Sequence, residues 1–155
     1  MNKVELNQPI PDFRLEATSA KDVQLSACKG YKVVIYFYPK DNTPGCTTEG
    51  EDFRDLYQSF KDNKTVIFGI SRDSLASHEN FKMKYRFPFE LISDTDQKLC
   101  ELFDVIKMKN MYGKQVLGIE RSTFLIDEQG VLRKEWRKVQ VQGHAQDVLD
   151  SIKNL

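Results

Sequence analysis

The stretch Lys32-Val33-Val34-Ile35-Tyr36-Phe37-Tyr38-Pro39-Lys40-Asp41-Asn42-Thr43-Pro44-Gly45-Cys46 passes from an apolar block into a turn and then into a helical pattern. Lys32 to Tyr38 is a continuous β-branched and aromatic run, as in a strand buried on both faces. Pro39 to Gly45 is dense in residues that turn the chain. Beyond Cys46, Phe53, Leu56, Tyr57 and Phe60 fall at i, i+3, i+4 and i+7, one face of a helix. Strand, tight loop and helix in that order open an α/β unit.

The same alternation continues on either side. Asp12 to Ala17 alternates Phe13 and Leu15 with polar residues, as a half-buried strand does. Thr65 to Ser71 is a second buried-strand run, and Ser74 is placed to cap a helix carrying His78, Phe81 and Tyr85. Phe89 to Ser93 reads as a third strand, followed by a short helix over Asp96 to Phe103. Val105 to Ile119 reads as a loop with turns at Gly113 and Gly118. Ser122 to Asp127 and Val131 to Arg137 are strands joined by a hairpin loop. Gly143 to Leu155 closes as a helix with Val148, Leu149 and Ile152 on its buried face. This order predicts an α/β fold, a mixed central sheet flanked by helices, with the ligand site at the carboxyl ends of its strands.

At 155 residues the chain has the size of one domain, taken as residues 1–155. Its 40% hydrophobic and 30% charged residues are the balance of a globular protein. With 23 basic and 23 acidic residues the net charge is zero, which argues against nucleic acid and against an anionic membrane surface as partners. No apolar run approaches the length of a membrane span. The N-terminal stretch lacks the apolar core of a signal peptide. The expected setting is therefore cytoplasmic, where disulfides are rare and are usually catalytic. Three cysteines, Cys28, Cys46 and Cys100, exclude a disulfide scaffold and raise the question of thiol chemistry at one of them.

Cys46 is the strongest candidate. In the first turn of a helix it faces unpaired N–H groups and the positive end of the helix dipole, which favour the nucleophilic thiolate. Pro39 and Pro44 stiffen the preceding loop, and Gly45 allows close backbone approach. The Thr43 hydroxyl is placed to turn toward the sulfur or toward a bound oxygen. By position alone, Cys46 fits a reactive thiol and a buried structural cysteine equally.

Pro39-Lys40-Asp41-Asn42-Thr43-Pro44-Gly45-Cys46 carries Pro-x-x-x-Thr-x-x-Cys and resembles the active-site signature of peroxiredoxins. Tyr36 to Glu49 is similar to the peroxiredoxin Q type, also called bacterioferritin comigratory protein. The likeness extends to Pro11-Asp12-Phe13, Gly69-Ile70-Ser71, Ile92-Ser93-Asp94 and Arg121-Ser122-Thr123-Phe124-Leu125-Ile126-Asp127. It implies a thioredoxin-like fold and a thiol-dependent peroxidase acting on hydrogen peroxide and organic hydroperoxides. Cys46 would be the attacking thiolate and would become a sulfenic acid. Thr43 would orient the peroxide, Pro39 would shield the thiolate, and Arg121 would stabilise charge at the sulfur and the leaving oxygen. Without the motif, Arg121 reads as a strand residue with a solvated head. No metal or organic cofactor is implied.

The chain departs from this pattern in one respect. Relatives place a resolving cysteine five residues after the peroxidatic one, here Glu51, or in the next helix, here Phe81 to Met83; neither position holds cysteine. The resulting expectation is a one-cysteine mechanism in a monomer, recycled by thioredoxin or by glutathione with glutaredoxin. The alternatives are Cys100 as resolving residue, or a non-catalytic peroxide sensor or holdase. A disulfide oxidoreductase would need a second thiol where Cys46-Thr47-Thr48-Glu49 has Glu49. Cys28 is read as a small buried hydrophobe. His78 and His144 are read as surface or capping residues, with no spacing that suggests zinc. Met108 and Met111 are read as core filler, and no apolar surface strand is seen that demands a partner.

Overall fold

The computed structural model describes residues 3–155; Met1 and Asn2, part of the stretch read for a leader, lie outside the described residues. The strands are β1 (Arg14–Ala17), β2 (Lys21–Gln24), β3 (Lys32–Phe37), β4 (Thr65–Ser71), β5 (Glu90–Ser93), β6 (Ile106–Met111), β7 (Lys114–Ile119), β8 (Ser122–Ile126) and β9 (Leu132–Trp136). The helices are α1 (Pro44–Asp55), α2 (Tyr57–Asp62), α3 (Leu75–Tyr85), α4 (Lys98–Leu102) and α5 (His144–Lys153). Seven strands form one mixed sheet in the order β2-β1-β5-β4-β3-β8-β9. The β3–β4 and β4–β5 pairs are parallel, and β3–β8 and β8–β9 are antiparallel. This is the expected mixed sheet, with helices on its faces.

Strand β3 divides the core. Val33, Ile35 and Phe37 point into one cluster, which holds Phe13, Ile92, Cys100, Phe103 and Phe124. Val34, Tyr36 and Tyr38 point into the other, which holds Cys46, Phe53, Phe60, Phe81 and Val148. The two-residue period of a strand sends successive side chains to opposite faces. Helices α1, α2, α3 and α5 cover the second cluster, and α4 covers the first.

The segment read as a loop, 105–119, is instead the hairpin β6–β7, a separate two-stranded sheet. Its turn is Tyr112-Gly113, both at positive φ, as a two-residue primed turn requires. Gly118 is no turn: it lies within β7, where the Lys109 side chain crosses it. Met108 and Met111 are exposed rather than core, and with Tyr112, Val116 and Leu117 they give the hairpin an apolar outer surface. Among the described residues no helix is long and apolar enough to cross a membrane.

Candidate functional site around Cys46

Thr43 is the N-cap of α1 and Pro44 its first residue, so Cys46 is the third residue of the helix. Pro at the first helical position is preorganised for that start. The side chains of the first turn include no acid, so nothing there opposes negative charge on the sulfur. Cys46 is 2% exposed. Pro39 is half-buried at the end of β3.

Arg121 reaches this sulfur because of strand register. Phe37, the last residue of β3, pairs with Ser122, the first of β8. Arg121 thus stands at the end of the sheet where the Pro39–Gly45 loop leaves it. Its Nη2 donates to Cys46 Sγ at 3.4 Å and its Nη1 to Glu49 Oε1 at 2.7 Å. A Cβ on Gly45 would lie 3.2 Å from Nη2, so glycine there makes room for the guanidinium. The reading of Arg121 as a solvated strand residue does not hold, since its side chain is only 17% exposed.

Thr43 does not point its hydrogen at the sulfur. Its hydroxyl donates to the Lys40 carbonyl at 2.7 Å, which leaves the oxygen lone pairs free to accept. Glu49 and Tyr36 were not singled out by sequence reasoning. Glu49 is fully buried, and burial pushes its carboxyl up to about 7, against the pull of Arg121. Arg121, despite its own desolvation, is held above its ordinary value by Glu49 and Cys46. Glu49 Oε2 and the Tyr36 hydroxyl are buried without a hydrogen-bond partner. The i,i+3 spacing of Cys46 and Glu49 was the available signal, since it puts both on one face of a helix.

The other two thiols lie elsewhere. Cys100 is fully buried in the core on the opposite face of the sheet from Cys46. Burial pushes its thiol far up, and Asp94 adds to that. Cys28 is half-buried rather than buried. It follows Leu25 by three residues on a 3₁₀ turn, Leu25 takes the core position, and Cys28 lines the rim of a cavity of about 260 Å³ with Ile10, Tyr31 and Val33. That cavity opens at the other end of β3 from Cys46.

Both histidines are corrections to the surface reading. His78 is fully buried, and its Nδ1 lies 2.7 Å from Asp41 Oδ2. His144 starts α5 as expected but is buried, with Nε2 2.7 Å from Thr123 Oγ1. Burial lowers its imidazole to about 4, so it is neutral near pH 7.

Residues 6–135 match the AhpC/TSA family. The chain is 50% identical over 152 residues to peroxiredoxin Bcp of Bacillus subtilis, covering 98% of this chain and 97% of that one. It is 53% identical over 150 residues to peroxiredoxin Bcp of Xanthomonas campestris, covering 97% and 94%. A solved structure of Xylella fastidiosa PrxQ superposes with a TM-score of 0.93 at 41% identity, covering 99% of this chain and 98% of that one. A structure of Xanthomonas campestris peroxiredoxin Q gives 0.88 at 54% identity, covering 92% and 90%.

Proposed function

The chain belongs to the AhpC/TSA family, with peroxiredoxins of the Bcp and Q type as its relatives, and on that premise we propose a one-cysteine thiol peroxidase. The observation that carries the reading is the Arg121 guanidinium 3.4 Å from the sulfur of a cysteine in the first turn of α1. The Cys46 thiolate attacks one oxygen of ROOH. The S–O bond forms, the O–O bond breaks, and RO⁻ takes a proton to leave as ROH. Cys46 is left as a sulfenic acid. Arg121 stabilises the charge as it moves from sulfur to the leaving oxygen, Thr43 holds the peroxide, and Pro39 excludes water. Alkyl peroxide reduction is ascribed to the bacterioferritin comigratory protein of Xanthomonas campestris, and we extend that substrate class, with hydrogen peroxide, to this chain.

The one-cysteine reading draws support from the position of Cys100 in the opposite core. An external thiol then condenses with the sulfenic acid, releasing water and leaving a mixed disulfide. A second thiol frees Cys46. Thioredoxin, or glutathione with glutaredoxin, supplies those thiols in this reading. The cytosol and a monomeric state belong to the same proposal; three free thiols suit a reducing compartment. The test is peroxide consumption with each reductant by the wild type and by Cys46→Ser. Sustained turnover that Cys46→Ser abolishes supports the enzyme; a single stoichiometric oxidation without turnover indicates a sensor or holdase.

A further inference from the structure

A buried polar cluster lies directly beneath the loop that carries Thr43 and leads into Cys46. Its centre is Asp41, whose side chain is 1% exposed, against His78 of α3, which is fully buried. Asp41 Oδ1 accepts from the Tyr38 hydroxyl at 2.6 Å, and Oδ2 accepts from the Ser77 hydroxyl at 2.8 Å. The Asp41 backbone N–H donates to Asp73 Oδ2 at 2.9 Å, and Ser71 donates to that same oxygen. The loop is thereby tied to the ends of β3 and β4 and to α3.

Both ring nitrogens of His78 are engaged. His78 Nε2 lies 3.0 Å from the Ile92 carbonyl, which only accepts, so Nε2 carries a proton. Nδ1 lies 2.7 Å from Asp41 Oδ2, so both ring nitrogens face an oxygen. Asp41, Asp73 and His78 bring ligand atoms within 4.8 Å of one another, but both oxygens of Asp41 and both nitrogens of His78 are already engaged within the protein.

The cluster acts on the reaction through access. At 2% exposure the Cys46 sulfur is closed to another protein's thiol, and a disulfide needs two Cα atoms within about 7 Å. The first turn of α1 must lift for that bond to form. The second half of α1 is fixed: Phe53 is fully buried, and a Cβ on Gly50 would stand 2.5 Å from the Phe87 ring. The movable part is thus the loop and first turn, and Asp41 is its anchor.

We propose that His78 is a positioning residue: through Asp41 it latches the 39–45 loop closed for attack on peroxide, and release of that latch exposes oxidised Cys46 to the reducing thiol. The second half of this statement rests on the external-thiol reading above; the latch itself does not. Asp41→Asn is the conservative variant. Its amide N–H groups can donate to Nδ1 of a neutral His78 and to Ser77, while its oxygen still accepts from Tyr38.

The experiment is amide hydrogen exchange on the full chain, peptide by peptide, with both half-reactions measured separately. His78→Ala should exchange about tenfold faster over residues 41–48, with β4 and β8 unchanged. Its oxidation by peroxide should slow about tenfold, while reduction of its sulfenic acid by thioredoxin speeds at least threefold. A merely structural loss would not move the two half-reactions in opposite directions. Asp41→Asn should keep the wild-type exchange pattern. Unchanged exchange over 41–48 in a folded His78→Ala protein overturns the latch. Opening of Asp41→Asn as far as His78→Ala, although its amide keeps a hydrogen bond to His78, likewise overturns the latch. If His78→Ala does not fold, Ser77→Ala replaces it, with a two- to fivefold faster exchange expected and no change overturning the proposal. If thioredoxin and glutathione both fail on the wild-type sulfenic acid, the reductant reading falls, while the exchange result still judges the latch.

Discussion

Cys46 and Cys100 belong to two different hydrophobic cores, separated by the same β-sheet. Cys46 sits under α1 on one face, and Cys100 sits on α4 on the other. Asp94 accepts hydrogen bonds from the Leu99 and Cys100 backbone N–H groups and fixes the start of α4. A bond between the two sulfurs would require one of them to leave its core and reach the other face of the sheet.

One equivalent of peroxide, without reductant, should therefore add one oxygen, about 16 Da, to Cys46 rather than remove two hydrogens, about 2 Da. Excess peroxide should carry Cys46 on to sulfinic acid and inactivate the protein. Cys100→Ala should retain turnover with an external thiol. Intact mass and non-reducing peptide mapping read the result. A Cys46–Cys100 peptide as the main product would make Cys100 the resolving residue.

Arg121→Met removes the only side-chain donor that the described residues place on the Cys46 sulfur and leaves Glu49 buried without its cation. The second-order rate with peroxide should fall by about 10²-fold or more. Arg121→Lys keeps the charge but lacks the fork that serves sulfur and carboxylate together, so it should recover only part of the rate. Stopped-flow oxidation of the reduced protein checks both. A rate within threefold of wild type in Arg121→Met would remove Arg121 from the site.

Gly45→Ala is the subtler test of the same contact. The added methyl would meet Arg121 Nη2 at 3.2 Å, so the guanidinium must yield by a few tenths of an ångström. Alanine suits the second position of a helix, so stability should hold or rise slightly. The peroxide rate should nonetheless fall, by roughly 3- to 30-fold, since donors aimed at a developing charge lose effect when displaced. A thermal melt beside the rate measurement separates the two effects.

The strands and helices with strong local patterns were legible. Thr65–Ser71 is β4 as read, Lys32–Tyr38 is β3 with one residue less, and Ser74 caps α3 through its bond to the Ser77 N–H. The β6–β7 hairpin was not legible, because its turn is Tyr-Gly rather than Asn-Gly and its outward side chains are apolar. Ile106-Lys107-Met108-Lys109 does alternate, but the pattern breaks at Asn110 and again at Val116-Leu117, so the run is too short to mark two strands. At the site, Cys46, Thr43 and Pro39 came from one contiguous loop, and the pairing of Phe37 with Ser122 was needed to bring Arg121 in from 75 residues away. Glu49 and the Asp41–His78 pair stayed hidden because their roles depend on burial, and a polar residue in sequence reads by default as a surface one.

Two buried groups make opposite demands on stability as pH changes. Glu49 is raised from 4.5 to about 7, so the folded state takes up a proton that the unfolded chain releases. Its contribution falls as pH rises from about 4.5 to about 7. His144 is lowered from 6.5 to about 4, so the unfolded chain takes the proton first. Its contribution is lost as pH falls from about 6.5 to about 4. Over the shared window the two slopes oppose each other, and the wild type should show a shallow profile between about pH 4.5 and 6.5. Glu49→Gln removes one slope and leaves the His144 slope bare. Relative to wild type, its stability should rise toward pH 8, by on the order of 3 kcal/mol across the window. His144→Asn should do the reverse and lose less stability than wild type on acidification. The loss of the Glu49–Arg121 ion pair shifts the whole Glu49→Gln curve but not its slope, so the slope is the quantity to read. Urea unfolding at half-unit intervals from pH 4.5 to 8 measures it. Parallel curves for wild type and Glu49→Gln would show that Glu49 titrates at the same pH folded and unfolded.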